Sequence, residues 1–109
     1  MTATSQHHYQ LVFQFRCASL EDYDTLVALE QQFISAIRDH AIVDGHDSGC
    51  NEFNIFVHTD TPAASFTQLR PMLAAANLLP AVRVAYREFG SDLFSIVWPE
   101  SDQQPFIIA

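Results

Sequence analysis

The sequence contains no lysine, and its five basic residues are all arginine. Set against 13 acids, they leave a net charge of −8. Binding nucleic acid through its phosphates requires clustered positive charge, so that class of function is excluded. Long apolar runs are also missing. No stretch approaches the ~18 residues that cross a bilayer, and no membrane partner is expected. Cysteine is scarce: Cys17 and Cys50 are too few for a disulfide framework and are not spaced as a zinc knuckle. The polar start, Met1 to His8, lacks the charged-then-apolar pattern of a signal peptide, so two reduced thiols and a cytoplasmic location are expected. Disorder is excluded by the 49% apolar content and the low charged fraction of 17%.

The 109 residues fit one domain, read as a flexible N-terminal tail over 1–8, a core over 9–88 and an extension over 89–109. Tyr9 to Phe15 alternates, with Leu11, Phe13 and Phe15 on one side, as in a half-buried strand. Ser19-Leu20-Glu21-Asp22 has the form of a capping box. Apolar residues at three- and four-residue steps then predict a helix to about Arg38. Two strands follow, Ala41 to Asp44 and Glu52 to His58, joined by a loop over 45–51 whose two glycines suit positive φ. Thr61 and Pro62 open a second helix as cap and first residue, with Pro71 expected to kink or end it. Val82 to Arg87 alternates again as a fourth strand.

The order β-α-β-β-α-β predicts an α+β, ferredoxin-like fold: a four-stranded antiparallel sheet, order 4-1-3-2, with both helices on one face. The helix-facing set is Leu11, Phe13, Phe15, Val43, Phe53, Ile55, Val57, Val82, Val84 and Tyr86. The open face is mixed, with Val12, Gln14, Ile42, Asn54, Phe56, His58, Arg83, Ala85 and Arg87. It lacks the basic, glycine-rich pattern of an RNA-recognition sheet. Its cover is the C-terminal extension, a second copy of the chain in a homodimer, or a ligand. The extension is apolar at Phe94, Ile96, Val97, Trp98, Phe106, Ile107 and Ile108, which predicts that it packs on the domain.

The richest polar stretch is Asp44-Gly45-His46-Asp47-Ser48-Gly49-Cys50-Asn51-Glu52. It echoes a calcium-binding EF-hand loop at its first positions but carries Ile55 where the bidentate glutamate belongs. Asp44, His46, Asp47 and Glu52 are weak candidates for holding a divalent cation. Cys50 and His46 lack an orienting third group for nucleophilic catalysis. His58, beside Arg87, reads as a structural hydrogen-bonder. No catalytic residue and no cofactor is assigned. The segment from Asp44 to Phe56 resembles one in small bacterial proteins of unassigned function. That resemblance implies a hairpin and a bacterial origin, and it carries no activity.

Glu21, Asp22 and Asp24 at the start of the first helix are expected to lie near Asp44, Asp47 and Glu52. Together they form an acidic edge that suits a basic protein surface. Two functions are expected. The first is a non-catalytic acidic interaction protein that neutralises a basic partner as bacterial immunity proteins do. The second is a dimeric enzyme, dependent on a small ligand or metal, that uses the open face or the hairpin.

Overall fold

The computed structural model describes residues 7–108. Most of the expected N-terminal tail, residues 1–6, lies outside the described residues, as does Ala109. The elements run β1 (Tyr9–Arg16), α1 (Leu20–Ile37), β2 (Ile42–Gly49), β3 (Glu52–Thr59), α2 (Pro62–Ala75), β4 (Arg83–Glu88) and β5 (Ser95–Trp98). The fold is thus α+β, with two helices and one five-stranded sheet, in the order β2-β3-β1-β4-β5, among the described residues. Every strand pair is antiparallel. The expected four-stranded sheet is corrected by β5. Part of the C-terminal extension pairs with β4 and satisfies backbone groups that would otherwise form an open edge.

Local chemistry explains the elements. Ser19 Oγ accepts from Asp22 N at 3.0 Å, and Asp22 Oδ2 reaches back to Ala18 N at 3.0 Å, closing the start of α1. Thr61 makes no side-chain cap on α2. Its own N–H instead donates to Thr59 Oγ1, which also bonds Ser65 Oγ at 2.7 Å. Pro71 does not end the helix, which continues to Ala75 with Leu69 and Leu73 fully buried on either side. Burial of that stripe outweighs the lost hydrogen bond. The helix stops at Asn77, whose φ of 60° lets Leu78 N bond Leu73 O and Asn77 N bond Ala74 O, a Schellman ending.

Both helices cover one face of the sheet. Leu26, Leu29, Phe33 and Ile37 of α1 and Phe66, Leu69 and Leu73 of α2 pack on Leu11, Phe13, Phe15, Phe53, Ile55, Val57, Val82 and Val84. Val43 and Tyr86 join at the margin, which completes the helix-facing set expected from the alternation. Trp98 joins this side too, donating Nε1–H to Leu79 O at 2.9 Å, with the Arg70 guanidinium 4.5 Å from its ring.

The C-terminal extension returns across the opposite face. Phe106 is buried with Val12 and Ala85, and Phe56, Phe94, Ile96 and Ile108 pack around them. Polar contacts fix its path. Gln14 Nε2 donates to Ile107 O at 2.9 Å, and Arg83 donates to Asp102, Gln104 O and Pro105 O. Among the described residues, no helix is long and apolar enough to cross a membrane.

Candidate functional site at the edge strand

The β2–β3 hairpin differs from its expected form in a way that decides where its acids lie. β2 runs to Gly49, and the seven-residue loop shrinks to a two-residue turn, Cys50-Asn51, with φ of 54° and 63°. Two successive positive φ values define a type I′ turn, whose twist matches the flanking strands. The first glycine serves another purpose. Gly45, at φ 130°, sits at a bulge where Asp44 is the extra residue between the Val43–Val57 and Gly45–Phe56 pairs.

That bulge inverts the facing of everything beyond it. His46 pairs with Ile55 and faces the helices, whereas Asp47 pairs with Asn54 on the opposite face. Asp44 Oδ2 lies 3.6 Å from His58 Nε2, on the same side as Asp47. The metal candidates Asp44, His46, Asp47 and Glu52 therefore do not converge, because the sheet separates His46 from the carboxylates. Among the described residues, no group of three or more His, Cys, Asp or Glu gathers as metal ligands.

The short turn also strings the acids along the edge of the sheet. Glu52 flanks the turn, Asp47 lies part-way along β2, and Asp44 lies towards the far end beside His58. Cys17 N donates to Asn51 O at 2.9 Å, so the start of α1 and the turn share one end of the sheet. Arg16 lies between these two groups. It pairs in register with Glu52 and lines one depression with Glu21 and Asp22 and another with Cys50 and Asn51. Asp22 is engaged in the helix cap, and Glu21 and Asp24 are exposed. Asp44 and Asp47, both exposed, are the acids that the edge strand itself presents.

His46 is the chemical centre of the hairpin, through partners the sequence does not reveal. Its Nδ1 is 2.9 Å from Glu30 Oε1, and its Nε2 is 3.3 Å from Tyr23 Oη. The ring stacks on Phe53 with centroids 4.5 Å apart. Glu30, only 6% exposed, occupies a helix position four residues from Leu26 and three from Phe33, on the buried stripe. A carboxylate at an apolar helical position is the signal that could have found this buried pair. Cys50, at the exposed turn, takes no part in this chain.

Across the open face, most of the expected residues meet the protein itself, whereas Ile42, on the edge strand, is exposed. Arg83 clamps the C-terminal extension, and its guanidinium lies 5.3 Å from the Phe106 ring centre. Arg87 donates to Gln10 Oε1 and to Ser91 O and lies over Phe89. His58 meets Phe89 edge-on, with its Nε2 buried and, among the described residues, without a hydrogen-bond partner, since 3.6 Å to Asp44 is too long. The structural hydrogen bond expected of His58 is not made at Nε2. Asn54 is buried and donates Nδ2–H to Glu52. Phe56, expected at the centre of an open surface, packs with the extension.

Two carboxyls are held below their ordinary value of 3.8. The backbone N–H of Gln104, then the Arg83 guanidinium, lowers Asp102. For Asp60 the leading cause is the backbone N–H of His8, at 2.9 Å, with His7 adding a side-chain bond. His7 and His8, placed by the sequence in a flexible tail, are thus tied to the loop before α2. No protein-family model matches the chain, and no curated protein or solved structure matches it either.

Proposed function

We propose that the chain is a non-catalytic binding protein whose acidic edge engages a basic protein partner, neutralising it in the manner of an immunity protein. Its first four strands and two helices read as a ferredoxin-like split β-α-β-β-α-β unit, order 4-1-3-2, extended by β5. One observation carries the functional reading: the edge strand β2 presents exposed acids and carries no arginine or lysine. Arg83 and Arg87 on β4 are spent on the C-terminal side of the molecule, in contacts with residues 89–106 and Gln10. At the opposite side β2 presents Asp44 and Asp47, and no arginine or lysine occurs between Arg38 and Arg70. Such an edge attracts a basic surface and speeds encounter at low ionic strength.

The enzymatic reading has one specific observation, the Glu30–His46–Tyr23 chain. Glu30 and Tyr23 hold the two imidazole nitrogens and the ring stacks on Phe53, contacts that fasten β2 to α1. A ligand on the open face, or a second copy meeting Phe56, has to displace the packed extension. The binding reading is tested by titrating the protein with hexalysine in a calorimeter at low and high salt. Affinity should fall as salt rises, and Asp44→Asn with Asp47→Asn should weaken it while leaving the melting temperature unchanged. Equal binding by parent and double variant would refute the reading.

A further inference from the structure

The edge strand carries a second kind of recognition chemistry besides charge. Among the described residues, β2 is the outermost strand, eight residues long, with β3 as its only neighbour in the sheet, whereas the opposite edge, β5, has four residues. In a hairpin closed by a two-residue turn, the residues flanking the turn exchange both backbone hydrogen bonds, and such pairs then alternate with pairs that exchange none. Gly49 with Glu52, and Asp47 with Asn54, are therefore the bonded pairs of this register. The N–H and C=O groups of the alternate residues, Ser48 and His46, point away from β3 and off the sheet. Among the described residues, no turn, loop or cap hydrogen bond reaches the backbone of either.

We propose that this edge receives an extended, basic segment of the partner as a sixth strand, bonded to the backbone of His46 and Ser48. The proposal rests on the basic-partner reading above and specifies how that partner docks. Charge selects the occupant. Asp47 projects to the open face at mid-strand and Asp44 at the bulge, so a neighbouring strand sets its side chains about 5 Å from theirs. A second copy of β2 brings its own Asp44 and Asp47 to the same seam, and like charges facing each other oppose that pairing. Lysine or arginine on alternate residues of an incoming strand complements both carboxylates. The edge is also held ready. His46 is fastened to α1 by Glu30 and Tyr23, which fixes the pitch of the strand and lowers the ordering cost of docking. Beyond the bulge the regular stretch over 45–49 spans about 16 Å, room for a strand of about five residues. Strand addition of this kind takes affinity from main-chain bonds and specificity from alternate side chains.

The test uses a capped peptide of alternating lysine and valine, with two N-methylated versions, each methylated on a different alternate set of residues. One methylated set faces β2 and the other faces solvent. Only one methylated peptide should lose affinity for the parent protein, by about tenfold or more, the equivalent of about 1.4 kcal/mol. Ser48→Pro removes an outward N–H at an exposed edge position that tolerates proline, and should weaken the unmodified peptide by a similar factor. Should Ser48→Pro fail to fold, the paired methylated peptides decide the matter against the parent alone. Equal binding by both methylated versions overturns strand addition while leaving the basic-partner reading intact. Failure of the unmodified peptide to bind overturns strand addition, and if hexalysine also fails to bind, the basic-partner reading falls with it.

Discussion

His46 Nδ1 lies 2.9 Å from Glu30 Oε1, which joins the edge strand β2 to a carboxylate buried on α1. The contact spans 16 residues of chain and rests on the Gly45 bulge, without which His46 faces the other side of the sheet. A buried carboxylate is costly unless it is hydrogen-bonded, so the bulge and the buried glutamate explain each other.

His46→Ala removes a hydrogen-bond partner of the buried Glu30 carboxylate and should cost about 1–3 kcal/mol in urea unfolding. Tyr23→Phe removes a longer, 3.3 Å contact to the same ring and should cost about 1 kcal/mol or less. A larger loss from Tyr23→Phe than from His46→Ala would show that the phenol, rather than the carboxylate, anchors the strand.

The C-terminal extension forms the second apolar cluster and the fifth strand. Phe106→Ala, within that cluster, should destabilise the protein by about 3 kcal/mol. Truncation after Gly90 removes β5, Trp98 and Phe106 together, and should lower the melting temperature sharply or cause aggregation. An unchanged melting temperature in the truncated protein would contradict the packing described.

Asp102 links the extension to Arg83 and has a carboxyl held below 3.8 by the Gln104 N–H and that guanidinium. A depressed folded value means that the contribution is present above 3.8 and lost as the pH falls through the lowered value. Asp102→Asn should therefore be less stable than the parent at neutral pH. The two melting temperatures should converge between about pH 5 and about pH 2. Parallel curves across that range would show that Asp102 does not carry the link.

The turn holds two non-glycine residues at positive φ, Cys50 and Asn51. Type I′ turns favour Asn-Gly, so Cys50→Asn with Asn51→Gly should raise stability by about 1 kcal/mol. Thermal unfolding checks this, and a loss of stability would mean that Cys50 makes contacts worth more than the strain.

The periodic elements were legible in the sequence, and the features that depend on one residue were not. Alternation in β1, β3 and β4 separates the two faces correctly, because Leu11, Phe13 and Phe15 have one buried side and a period of two. Pro71 reads as a helix break because its local cost is visible, while the burial of Leu69 and Leu73 that outweighs it is tertiary. Glycines at 45 and 49 read as loop, yet the positive φ values of the hairpin fall at 45, 50 and 51, and residues 45–49, with His46, Asp47 and Ser48, continue the strand. A single bulge then changed the site. It turned His46 inward and left Asp44 and Asp47 together on the other face, an inversion that no spacing rule reports. Arg16 lies just outside the acidic segments in sequence and between them in space.

The central claim is that the acidic edge along β2 is the surface that meets a basic partner. Chemical-shift mapping of the isotope-labelled protein with hexalysine tests it most directly. The largest amide shifts should cluster over 44–48, fade as salt rises, and vanish in the variant carrying Asp44→Asn and Asp47→Asn. Shifts centred on Glu21 and Asp24, or spread evenly over the acids of the chain, would contradict it.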